Sequence, residues 1–114
     1  MDDRVTTAAM GMILQAGDAR LLISEALTAI SVNDYETATE KLKEAQKKMT
    51  EAHKIQTDMI QSEARGEDIG HSLLFTHAQD TLMTVYSELN LTKKLYKVFE
   101  SLEQRISKLE QGEQ

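Results

Sequence analysis

The chain has 114 residues, a formal net charge of −6, and neither cysteine nor proline. That length fits one domain. The missing cysteines exclude disulfides, thiolate metal sites and cysteine nucleophiles, and an acidic chain without a clustered basic stripe lacks the charge that nucleic-acid binding depends on. No apolar run reaches the roughly 18 residues of a membrane span, and Met1-Asp2-Asp3-Arg4 is not the basic start of a signal peptide, so a cytoplasmic protein without membrane insertion is expected.

With five glycines, 28% charged residues and only 4% aromatics, nothing opposes long helices. The core must be built from Ala, Leu, Ile, Met and Val. Val5, Ala9, Met12, Ala16, Ala19, Ile23, Ala26 and Ile30 recur at alternating intervals of four and three, which predicts a helix over about 4–31 with one apolar seam. Gly17 interrupts it at a cost of about 1 kcal/mol relative to Ala and so marks an expected close approach by another helix or a partner. Ser31 to Asp34 ends the run. Asn33 is expected to cap the next helix, with Glu36 completing a capping box.

The second helix, 34–65, is predicted from Tyr35, Ala38, Leu42, Ala45, Met49, Ala52, Gln56 and Met59. Its other face, with Glu40, Lys43, Glu44, Lys47 and Lys48, is expected to be solvated. Gly66 suits the left-handed residue that ends a helix. The third helix is predicted over 72–108, with Ser72 as N-cap, and 109–114 is expected to be a frayed polar tail.

The third helix carries two stripes. Leu74, Ala78, Leu82, Val85, Leu89, Tyr96, Phe99 and Ile106 make one; Leu91, Leu95, Val98 and Leu102 make another, displaced around the cylinder. One stripe can close an antiparallel three-helix bundle with an alanine-rich core, and the other is left for a second subunit. An all-α bundle that forms oligomers is therefore expected.

The chemistry-bearing stretch is Phe75-Thr76-His77-Ala78-Gln79-Asp80-Thr81. A neutral imidazole on a helix face can accept a phosphoryl group and pass it on, with no metal required of the ring itself. Asp80 at i+3 lies on the same side of the helix. Gln79 at i+2 points elsewhere, toward another helix or a partner. If the helix starts near Ser72, His77 lies beyond its first turn, so the helix dipole adds little. His53 and His71 have no ligand-spaced partner and are not expected to hold a metal. These residues leave other readings open. One is a histidine phosphotransfer domain of two-component signalling, although Gln79, Asp80 and Thr81 stand where such domains carry a Lys and a Gly. The other is a non-catalytic helical adaptor, for which the seams alone suffice.

HAQDTLM at His77 to Met83, with AGDAR (Ala16 to Arg20), EAHKIQT (Glu51 to Thr57) and IQSEARGE (Ile60 to Glu67), resembles the enzyme IIA component of the lactose/cellobiose class of the bacterial phosphoenolpyruvate-dependent sugar phosphotransferase system. The resemblance runs from about Met10 to about Phe99. It implies a homotrimer of three-helix subunits, nine helices in all. His77 would be the phosphorylated residue, in a groove between neighbouring subunits, with Gln79 positioning it. The phosphoryl donor would be the carrier protein HPr, and the acceptor a cysteine of the cognate IIB protein, in the uptake of a β-linked disaccharide. Asp80 would sit on the threefold axis, where three copies hold one divalent cation such as Mg2+. The chain departs from the family pattern at Thr81, where many members carry a second histidine; that removes an auxiliary imidazole. The sugar is selected by the membrane component and is not readable here.

Overall fold

The computed structural model describes residues 3–112. Three helices, α1 (Asp3–Ser31), α2 (Tyr35–Ala64) and α3 (Leu73–Glu110), run up, down and up in a rod of 67 × 20 × 18 Å. Short connections reverse the chain direction at each turn, which makes α1 and α3 parallel. α1 packs against both others, while α2 and α3 touch only sparingly.

The α1 seam is buried at all eight predicted positions. Ala9, Ala16, Ala19, Ala26, Ala38, Ala45, Ala52 and Ala78 are fully covered, so the axes approach closely. Each small methyl contributes only about 0.8 kcal/mol of transfer energy, against roughly 1.5–3 for a large aliphatic side chain. Met12, Met49, Leu82 and Leu89, all fully buried, supply most of the core's bulk. On α2, Tyr35 and Gln56 are only half-buried, and the shielded Oε1 of Gln56 has no hydrogen-bond partner.

The first stripe of α3 departs from expectation at its far end. Phe99 and Ile106 are 40% and 48% exposed, because α1 and α2 meet in the turn at residues 32–34 and α3 runs on past it. The expected frayed tail is also shorter. Helix continues through Leu109 and Glu110 to the cap at Gln111, with Gly112 at φ 76° as the stop; positions 113 and 114 lie outside the described residues.

Asn33 is not the cap of α2. It adopts φ 61° and terminates α1, with Asn33 N–H donating to the Ile30 carbonyl and Asp34 N–H to that of Ala29. Asp34 caps α2, its carboxylate accepting from Thr37 N–H at 3.1 Å. The α2 terminus repeats the device at Gly66, φ 89°, with bonds from Gly66 N–H to Glu63 and from Glu67 N–H to Ser62.

Gly17 makes no close approach among the described residues, since a Cβ there would have no neighbour within 4 Å. The intrachain close approach is at Gly11, whose Cβ would come 3.2 Å from Ile55 Cδ1. Gly17 instead lies on an outward face of α1 with Met10, Leu14 and Leu21, all of them exposed.

Candidate functional site

The α2–α3 loop fixes the start of α3. Ile69 is buried with Val5, Ala8 and Met59 in a small second core at this end, and Phe75 packs against it. Ser72 caps α3 by accepting from Phe75 N–H at 3.1 Å. Glu67 accepts from Arg4 at 3.0 Å and from Arg65 at 3.1 Å, and these two guanidiniums hold its carboxyl below the usual range. Three anchorages therefore fix the helix that carries His77. Ile69 was not singled out in the sequence, because one apolar residue in the eight-residue connection 65–72 gives no periodic signal.

His77 is the fifth residue of α3 and is exposed. The first helical turn is complete before it, so the free N–H groups at the helix start do not point at its ring. Thr81, standing where a second imidazole was expected, turns its hydroxyl back to the His77 carbonyl at 3.0 Å. Thr84 does the same to Asp80 at 2.8 Å. Neither hydroxyl is committed to the imidazole or carboxylate, and the His77 and Asp80 side chains have no hydrogen-bonded partner among the described residues.

Gln79 is half-buried and turned from His77. It lines a cavity of about 170 Å³ with Glu63, Ile69, His71, Phe75 and Thr76, between the ends of α2 and α3. Within one chain the structure therefore brings His77 and Asp80 to one face and sets Gln79 on another.

The register of α1 against α3 is set by Arg20, which donates to both carboxylate oxygens of Glu88 at 2.9 and 3.1 Å. Counting eleven residues back along both parallel helices brings His77 level with Ala9 and Met10. Met10, Leu14, Leu73 and Met83 are exposed apolar residues at this end, Leu73 by 80%. The end of the rod that exposes the imidazole thus also exposes apolar side chains, a surface suited to a protein partner. AGDAR acts as a staple: Asp18 meets Lys48 of α2 at 3.6 Å, while Arg20 holds α3. Lys48, expected to be solvated, is half-buried because of that pairing.

Asp80 heads the outward stripe of Thr84, Ser87, Leu91, Leu95 and Val98. Among the described residues no group of three or more His, Cys, Asp or Glu side chains is placed to hold a metal ion. One carboxylate per chain, exposed and uncommitted, fits a hard cation only where copies of it converge.

The family model for the PTS system lactose/cellobiose-specific IIA subunit matches residues 7–100. The chain belongs to this family of phosphotransferase system components. It is 36% identical over 97 residues to the lactose-specific EIIA component of Staphylococcus epidermidis, spanning 85% of this chain and 93% of that protein. The cellobiose-specific enzyme IIA of Bacillus anthracis superposes with a TM-score of 0.84 at 35% identity, over 90% of this chain and 94% of that one. The IIA(Chitobiose) of Escherichia coli, solved in complex with HPr, gives 0.75 at 30% identity, over 87% and 96%. The all-α three-helix subunit of this IIA chain is the architecture of these neighbours. No helix among its described residues is long and apolar enough to cross a membrane.

Proposed function

We propose that this IIA chain is a cytoplasmic phosphocarrier that takes a phosphoryl group onto His77 from HPr and passes it to a cysteine of a IIB protein during uptake of a β-linked disaccharide. The single observation that carries the reading is His77 itself, within HAQD: exposed, near the secured end of α3, at the end of the rod that also exposes Met10, Leu14 and Leu73, and without a hydrogen-bonded partner among the described residues. The similar chitobiose protein, solved with HPr, supports the choice of donor.

The step is an in-line displacement. An imidazole nitrogen of His77 attacks phosphorus, the bond to the donor breaks as the new P–N bond forms, and the ring proton leaves to solvent or to the departing group. The second transfer repeats this, with the IIB thiolate as nucleophile and the His77 ring as leaving group. His77 needs a ring free to attack, and the apolar surround holds the partner while excluding water. Gln79 positions the phosphoryl group from a neighbouring chain, which agrees with its direction away from its own His77.

The outward stripes support a homotrimer. Leu91, Val98 and Leu102 of α3 are 59%, 51% and 40% exposed, and α1 leaves Met10, Leu14 and Leu21 uncovered as well. Three α3 helices meeting along this stripe bring three Asp80 carboxylates together, and a divalent cation such as Mg2+ would offset their mutual repulsion.

Incubation with phosphoenolpyruvate, enzyme I and HPr is expected to add one acid-labile, base-stable phosphate per chain at His77. His77→Ala is expected to abolish labelling while the helical circular-dichroism spectrum is retained. Labelling that persists in this variant removes the assignment. The histidine phosphotransfer alternative is removed by a receiver domain that fails to take the phosphate.

A further inference from the structure

Because α2 and α3 touch so little, a groove of about 360 Å³ opens between them, lined by no residue of α1. Lys43 stands on one rim, Lys93 and Lys97 on the other, and Leu42 and the Tyr96 ring form the base. The Thr39 and Tyr96 hydroxyls are hydrogen-bonded at 2.9 Å, and Lys93 donates to Gln46. The ring of Tyr35 supports Tyr96 edge-on, with centroids 5.4 Å apart.

The chain carries 19 Asp and Glu against 13 Lys and Arg, and its ion pairs engage Arg4, Arg20, Lys41, Lys48 and Arg65. None of the three groove lysines is paired with a carboxylate among the described residues. Like charges gathered on one cleft repel one another, and a bound anion relieves that repulsion.

We propose that this groove binds a small phosphate ester bearing hydroxyl groups, of the hexose-phosphate type. Ammonium groups act as point charges suited to a tetrahedral dianion, whereas the planar fork that favours carboxylates belongs to arginine, and no arginine lines the groove. Thr39 donates to the Tyr35 carbonyl and Gln46 to Thr50, which leaves the Tyr96 oxygen as an acceptor and the second amide hydrogen of Gln46 as a donor for a polyol, and the tyrosine and leucine base fits its C–H face. The volume lies within the range of about 300–1,000 Å³ usual for small-molecule sites. Lys93 is sixteen residues along α3 from His77, or about 24 Å. The site is therefore separate from the transfer chemistry and does not depend on the His77 reading.

Titration of the 15N-labelled full chain with glucose 6-phosphate is expected to shift amides of 39–46 and 93–97 saturably, with Kd on the order of 1 mM. The Lys93→Ala/Lys97→Ala variant is expected to bind about tenfold more weakly, its circular dichroism unchanged, and His77→Ala to bind as the parent does. Should the double variant not fold, Lys43→Gln is expected to weaken binding severalfold. Any one of four results overturns the proposal: no saturable shift, equal affinity for inorganic phosphate or for glucose, unchanged affinity in the lysine variants, or loss of binding in His77→Ala.

Discussion

Asn33 and Asp34 share one turn, and the division between them follows from backbone geometry. Asparagine tolerates the left-handed conformation needed to end α1, which leaves the next residue in place to accept from Thr37. Hydrogen bonding from Thr37, through its side chain and its backbone N–H, holds the Asp34 carboxyl below its usual value of 3.8. A carboxyl depressed in the folded state contributes stability above its unfolded pKa and loses it as pH falls through the folded one. Asp34→Ala is therefore expected to melt below the parent at pH 7. The gap between the two melting temperatures should narrow steadily as the buffer is taken to acid, and a gap independent of pH would count against the cap. The two neighbours have interchangeable side-chain chemistry, and so the sequence alone ranked them wrongly.

At the scale of helices, the seams were legible because small and large apolar residues repeat every three and four positions, and that period admits one secondary structure. What periodicity does not report is where a helix runs out of neighbours. Phe99 and Ile106 follow the stripe of α3 faithfully yet stand in solvent, because α1 and α2 end first. The site divided in the same way. His77 and Asp80 were legible from their spacing, whereas the cavity around Gln79 depends on a loop that folds back onto α1. The N-terminus of α3 rests on Ser72, which is buried and accepts from Phe75 N–H. Ser72→Ala is expected to lower the unfolding free energy by about 1 kcal/mol in urea titrations, with an unchanged m-value.

The whole molecule is an over-long rod with a thin core and uncovered apolar faces. In the proposed trimer the α1 and α3 stripes would be buried between copies, and Asp80 would be the costly position at the top of the contact. Asp80→Leu removes the like-charge cluster. Sedimentation is expected to show a trimer that persists in EDTA and is at least as stable to heat as the parent. Monomers in both proteins would sink the trimer.

The alanine seam also carries an ambiguity that its ion pairs resolve. A strip of nearly identical methyls at heptad spacing matches itself almost as well after sliding seven residues, and only Met12, Met49 and a few other bulky side chains object. Arg20 to Glu88, Lys48 to Asp18 and Lys41 to Glu25 cross between helices at separate heights and agree on one alignment. Each such exposed pair adds little to the depth of the native well. Together they act as index marks, penalising every shifted docking of the rods, and so fix the height of the His77 ring on the bundle.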